Sequence, residues 1–124
     1  MIGYITLGSN DIERAGKFYD ELLSQVGASR VMEDDSFIAW TPNPKIPALS
    51  VIKPFDGNAA TVGNGVMVAL VFDSNEKVDE FHAKAIEFGA TDEGAPGSRG
   101  DGGFYVGYFR DLDGNKLAAF NLSR

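Results

Sequence analysis

The chain reads as an α+β protein: two βαβββ modules in one domain, helices outside, forming a curved mixed-sheet cleft. Three observations predict this. Apolar residues recur at helical spacing in two stretches, Ile12 to Val26 and Val78 to Ile86. Short runs rich in β-branched and aromatic residues surround both. The halves also superpose on a shift of 63 positions, which lays Tyr4 on Met67, Asp11 on Ser74, Phe18 on Phe81, Leu22 on Ala85 and Leu23 on Ile86.

Residues Ile2 to Gly8 alternate as a strand, which Ser9-Asn10-Asp11 stops. Asn10 with Glu13 fits a capping box, with Asp11 as the alternative cap. Ile12, Ala15, Phe18, Tyr19, Leu22, Leu23 and Val26 form the buried stripe of the first helix, and Gly27 supplies its C-terminal stop. Ser29–Glu33, Phe37–Thr41 and Leu49–Lys53 follow as strands, broken by Asp34-Asp35 and by the proline-bearing 42–47 segment. This completes module 1, about residues 1–53, and the Gly- and Asn-rich stretch 54–65 reads as a linker.

Module 2, about residues 66–124, repeats the order. Val66–Phe72 is a strand, Asp73 and Glu76 offer a second capping box, and Val78, Phe81, His82, Ala85 and Ile86 form a second stripe ending at Gly89. Ala90–Glu93 reads as a short strand and 94–103 (GAPGSRGDGG) as a mobile loop. Phe104–Arg110 and Lys116–Asn121 are strands joined through Asp111–Asn115, where Asp113-Gly114 suits a tight hairpin. Neither module of about 60 residues is expected to bury enough surface to stand alone.

Composition excludes several classes of function. With 124 residues the chain holds one domain's length, and 44% hydrophobic with 23% charged residues is ordinary for a globular protein. The absence of cysteine excludes disulfide scaffolds, zinc fingers, iron–sulfur clusters and thiol catalysis. A single histidine leaves no two-histidine metal site within one subunit. A net charge of −7, with the basic residues scattered, argues against nucleic acid as a partner. No apolar run approaches the ~18–20 residues that span a bilayer, and the N-terminus lacks a signal-peptide pattern, so no membrane partner and a cytoplasmic location are expected. Asp111–Asn115 fails as a calcium loop, because Lys116 and Leu122 stand where an EF-hand needs Gly and Glu.

The stretch ITLGSNDIERA…FY (Ile5 to Tyr19) resembles the opening of the glyoxalase/bleomycin resistance/dioxygenase, or vicinal oxygen chelate, superfamily. So does GFYVGYFRDLDGNKL (Gly103 to Leu117), while Lys53 to Val66 is similar to the inter-module linker of a small glyoxalase-like subgroup. The resemblance covers essentially the whole chain. It implies paired βαβββ modules forming a cleft, commonly completed by homodimerisation. It also implies a divalent metal held by a His on the first strand, a His on the fifth and a Glu on the last. Those positions carry Tyr4, Met67 and Ala118 here. A phenol, a thioether and a methyl group are not the imidazole and carboxylate ligands such a metal takes. No metal and no cofactor are therefore expected.

If Tyr4 faces inward, strand alternation turns Ile2 and Thr6 the same way, and Met67 likewise brings Ala69 and Val71. Lys116, Ala118 and Phe120 share one face of the last strand. Trp40, Phe37, Phe104, Tyr105 and Tyr108 are further aromatic candidates near that cleft, and Arg99 in the Gly-rich loop is placed to close over an anionic ligand. The expected ligand site is thus Tyr4, Thr6, Trp40, Met67, Ala69, Tyr105, Tyr108, Ala118 and Arg99, suited to a small aromatic or apolar molecule. His82, alone on a helix, reads as structural. The expected function is a metal-independent, homodimeric small-molecule binder. A lactoylglutathione lyase-like lyase or isomerase, using Tyr4 or a carboxylate such as Glu33 in acid–base chemistry or a metal bound by unexpected ligands, is the alternative, and a non-catalytic dimeric scaffold is a second.

Overall fold

Parallel pairing of the first and last strand closes each βαβββ repeat. The computed structural model describes residues 1–123 and divides into a first unit, Met1–Val62, and a second beginning at Gly63. In the first unit β1 (Tyr4–Gly8) leads into α1 (Ile12–Leu23), followed by β2 (Ser29–Glu33), β3 (Phe37–Thr41) and β4 (Ala48–Ile52). The sheet runs β1-β4-β3-β2, with β1 parallel to β4 and the remaining pairs antiparallel.

Of the two cap candidates, Asp11 is the N-cap of α1, accepting from the Arg14 amide at 3.1 Å. Asn10 instead bonds Ala60 twice, accepting from its amide at 2.7 Å and donating to its carbonyl at 3.2 Å. Part of the expected linker is therefore tied to the first unit. The helix buries Ala15, Phe18, Tyr19, Leu22 and Leu23, and the alternation of the strands turns Leu7, Ile38, Trp40, Leu49 and Val51 to meet them. The Leu, Ile, Val and Phe side chains among them each contribute about 1.5–3 kcal/mol when fully buried. Val26 departs from the expected stripe: the helix has already tightened into a 3-10 turn, Ser24–Val26, which leaves it partly exposed. Gly27, at φ +75, ends that turn in a conformation that favours glycine.

Asp20 ties the solvent edge of α1 to the sheet. It accepts from the Trp40 indole Nε1 at 2.8 Å and from Arg30 Nε and Nη2, each at 2.9 Å. Burial pushes its pKa up, but the hydrogen bonds from Arg30 and Trp40 and the Arg30 charge outweigh it, so the carboxyl lies below its ordinary value of 3.8. A depressed folded-state pKa stabilises the fold above the unfolded value and loses that contribution as pH falls through the folded one. Acid titrations below about pH 4 should therefore show a smaller loss of stability in Asp20→Asn than in the parent chain. Parallel curves for the two proteins would contradict this.

The second unit repeats the plan. It has β5 (Val68–Val71), α2 (Asn75–Glu87), β6 (Thr91–Arg99), β7 (Phe104–Arg110) and β8 (Lys116–Leu122), in the order β5-β8-β7-β6. The N-cap of α2 is Ser74, accepting from the Lys77 amide at 3.2 Å. The expected cap, Asp73, instead pairs with Lys77 Nζ at 2.9 Å. The cap thus falls on the very residue that the repeat lays on Asp11. Val78, Phe81, His82 and Ala85 are buried, whereas Ile86 turns partly outward. His82 Nε2 lies 3.0 Å from the Tyr108 carbonyl and 3.2 Å from an Asp92 carboxylate oxygen, so it donates to acceptors and clamps α2 to the sheet.

The segment 94–103 is not wholly a loop, because β6 continues through Gly94 and Pro96 to Arg99. It lies at the sheet edge, where a proline without an N–H is tolerated. Two register shifts, between Asp92 and Gly94 and between Gly94 and Gly97, absorb its irregular residues. No helix is long and apolar enough to cross a membrane among the described residues.

Candidate functional site

Within each unit the helix packs on one face of its sheet, and the candidate residues belong to the other. In the first sheet the register sets Tyr4 beside Ala48, Thr6 beside Ser50, Ala39 beside Ser50 and Met32, and Phe37 beside Ile52. These side chains share the helix-free face, where Tyr4 is 64% and Met32 61% exposed. The Tyr4 and Phe37 rings meet edge to face across β4, with centroids 6.4 Å apart. Between their strands lies Ser50, fully buried, its Oγ without a hydrogen-bond partner among the described residues.

A hollow of about 350 Å³ opens on this face, lined by Gly3, Tyr4, Val31, Met32, Phe37, Ala39, Thr41, Pro44, Ile46 and Ala48. Its walls are apolar apart from two hydroxyls. Thr41 Oγ1 is held by the 42–46 loop, with Asn43 and Ile46 carbonyls at 2.7 and 3.0 Å. The Tyr4 hydroxyl has no partner among the described residues. Val31 and Met32 line the hollow together because a bulge between Arg30 and Met32 breaks the alternation of β2. A second, wider hollow of about 880 Å³ lies at the start of α1, lined by charged groups including Asp11, Glu13, Lys17 and Asp35. Charged walls of both signs suit water better than an apolar ligand.

In the second sheet the register places Ala69, Ala118 and Tyr108 in one row across β5, β8 and β7. Met67 immediately precedes β5 and is exposed. Arg99, expected in a loop, is the last residue of β6, and its guanidinium reaches back to 5.9 Å from the Tyr108 ring centre. Thr6 and Tyr4 therefore share a face in the first unit, and Ala69, Ala118, Tyr108 and Arg99 share one in the second.

Two expected site residues point the other way. Trp40 is 1% exposed, turned against α1 with its ring 5.5 Å from that of Tyr19 and its indole N–H on Asp20. It pairs with Leu49, which also faces the helix, whereas Phe37, Ala39 and Thr41 alternate onto the open face. Tyr105 is three residues from Tyr108, an odd spacing that turns it toward α2. There its hydroxyl donates to Asp79 at 2.6 Å, and that bonded carboxylate raises the phenol's pKa. Val31, Met32, Thr41, Pro44 and Ile46 line the hollow without having been expected there.

No group of three or more His, Cys, Asp or Glu side chains able to hold a metal occurs among the described residues. Glu33, the alternative acid–base candidate, accepts from Arg30 Nη1 at 2.7 Å.

Residues 1–119 match the family model described as the Glyoxalase/Bleomycin resistance protein/Dioxygenase superfamily. Among solved structures, a glyoxalase/bleomycin resistance protein from Albidiferax ferrireducens T118 is 35% identical, with 99% of each chain covered and a TM-score of 0.89. A glyoxalase/bleomycin resistance protein/dioxygenase family enzyme from Burkholderia phytofirmans PsJN is 17% identical, covering 98% of each chain with a TM-score of 0.77. Lactoylglutathione lyase from Agrobacterium tumefaciens is 19% identical, covering 98% of this chain and 92% of its own, with a TM-score of 0.71. At that level of identity the last two speak for the fold alone. Among curated proteins none matches the chain.

Proposed function

The chain belongs to the glyoxalase/bleomycin resistance protein/dioxygenase superfamily, and from that premise we propose that it binds a small apolar or aromatic organic molecule without a metal. The observation that carries this reading is the apolar hollow on the helix-free face of the first sheet. Concave, mostly apolar walls with few polar groups are what small-molecule sites have in common. Tyr4 and Phe37 offer ring edges and faces to a planar guest, and the free Tyr4 hydroxyl gives it one hydrogen bond.

The superfamily resemblance implies a divalent metal on the first, fifth and last strands. The residues at those positions, Tyr4, Met67 and Ala118, do not fit it. A phenol and a thioether are poor ligands for a hard cation, and alanine is none. The lyase or isomerase reading has less support, because Glu33 is committed to Arg30 and the Tyr4 hydroxyl has no acidic or basic side chain beside it in the hollow. Homodimerisation completes the proposal by analogy with the superfamily, and sedimentation equilibrium tests it.

A thermal-shift screen of aromatic and aliphatic small molecules tests the binding. A ligand at 100 times its Kd adds about 2.7 kcal/mol to apparent stability. Met32→Glu is expected to abolish that gain while leaving the unliganded fold near its parent stability, since Met32 is largely exposed. A stoichiometric divalent metal that chelators remove, or ligand binding undiminished in Met32→Glu, would overturn the proposal.

A further inference from the structure

We propose that Arg99, Tyr108 and Lys116 on the open face of the second sheet form a receptor for the carboxylate of a small aromatic acid. The two cations approach one ring from different strands. The Arg99 guanidinium carbon lies 5.9 Å and Lys116 Nζ 5.1 Å from the Tyr108 ring centre. In the strand order β8-β7-β6, Lys116 reaches β7 from one side and Arg99 from the other. The ring holds both side chains by cation–π attraction, and its hydroxyl has no partner among the described residues.

Lys77 is paired with Asp73, Lys84 with Glu87 and Arg110 with Glu93. Among the described residues of the second unit, Arg99 and Lys116 are the cations that meet no carboxylate, in a chain of net charge −7. Arg99 donates only to the carbonyls of Ala95 at 3.0 Å and Ser98 at 3.4 Å. Most of its five N–H groups stay uncommitted.

Glycine lets the guanidinium lie close against the strand. A Cβ at Gly97 would stand 3.0 Å from Arg99 Nη1, and one at Gly94 would stand 3.1 Å from Tyr108 Cδ2 and 3.7 Å from Arg99 Nη2. The same Gly-rich segment that bends β6 thus clears the path by which Arg99 lies along the strand to Tyr108.

The apolar surroundings select an aromatic acid over a bare anion. Phe104, opposite Arg99 in the register, lies 5.7 Å from Phe120, and Ala118 pairs with Tyr108. An acid seated here sets its carboxylate against guanidinium, ammonium and phenol, and its ring on Ala118 and Phe120. The site stands on the second unit alone and does not depend on the hollow of the first.

The test is an amide shift titration of the full ¹⁵N-labelled chain with benzoate, benzyl alcohol and inorganic phosphate. Benzoate should shift Arg99, Tyr108 and Lys116 saturably, bind more weakly as salt rises, and exceed both other probes. Arg99→Met, at an exposed position, and Lys116→Met, at a half-buried one, should each weaken benzoate about fivefold to tenfold. Gly97→Ala keeps both charges but displaces the guanidinium, and should weaken it about threefold. Equal binding of benzyl alcohol, or benzoate affinity unchanged in the double Met variant, would overturn the receptor. Phosphate binding tighter than benzoate would overturn the aromatic acid as its ligand. Benzoate shifts confined to Tyr4, Met32 and Phe37 would overturn this site while leaving the first unit's hollow as a binding site.

Discussion

Replacing Trp40 by alanine is expected to destabilise the protein by about 3–5 kcal/mol, the usual cost of emptying a fully buried indole site. Trp40 sits between α1 and its sheet at 1% exposure, against Tyr19 and beneath Arg30, whose guanidinium carbon lies 5.9 Å from its ring. Such a loss is a large part of the ~5–15 kcal/mol that holds a typical domain folded. Trp40→Phe keeps most of the volume and loses the bond to Asp20 at 2.8 Å, so about 1–2 kcal/mol should suffice there. Urea denaturation with both variants makes the measurement. A Trp40→Ala protein of parent stability that had lost ligand binding would return Trp40 to the open face.

Asp111→Ala should cost about 2–4 kcal/mol, because the carboxylate organises the whole β7–β8 turn. Its Oδ1 accepts from the Asp113 and Asn115 amides, each at 2.9 Å, and Oδ2 accepts from Asn115 Nδ2 at 3.0 Å. Asp111 and Asn115 are both buried, so the orphaned donors would have little access to water. Gly114, at φ +89, gives the turn its left-handed residue. Asp111→Asn still accepts both amides, and rotating the Asn115 amide restores the third contact, so about 1 kcal/mol is expected there. A loss below ~0.5 kcal/mol in Asp111→Ala would mean that the turn organises itself without the carboxylate.

The architecture was legible because it is written in two periods and then repeated. The stripe through Ala15, Phe18, Tyr19 and Leu22 is the buried face of α1, and the shift of 63 residues carries it onto Val78, Phe81 and Ala85. What failed locally were the ends and edges. Asp73 reads as the cap of α2, yet the neighbouring Ser74 takes that place, since either side chain can accept from the helix N-terminus and the backbone decides which does. β6 was hidden because Gly94, Pro96 and Gly97 carry loop composition. An edge strand with bulges tolerates it, since half of its backbone groups need no partner.

The site was partly legible for the same reasons. Alternation from Tyr4 correctly put Thr6 on its face, and Ala69 and Ala118 fall beside each other in the register. It was silent for Phe37-Ile38-Ala39-Trp40, where apolar residues occupy both faces of a covered strand and give no polar beat to count. The bulge that brings Val31 beside Met32, and the register shifts that bring Arg99 to Tyr108, arise from pairing between strands. Neither strand's own sequence holds that information.

On the proposed reading, the open face of the first sheet takes a small apolar guest without metal. An amide shift map of the full chain, saturated with the best neutral compound from the thermal-shift screen after chelator treatment, tests it most directly. The largest shifts are expected at Tyr4, Met32, Phe37, Ala39, Thr41 and Ala48, the residues around the hollow. Shifts centred elsewhere, or binding that disappears with the chelated metal, would contradict it.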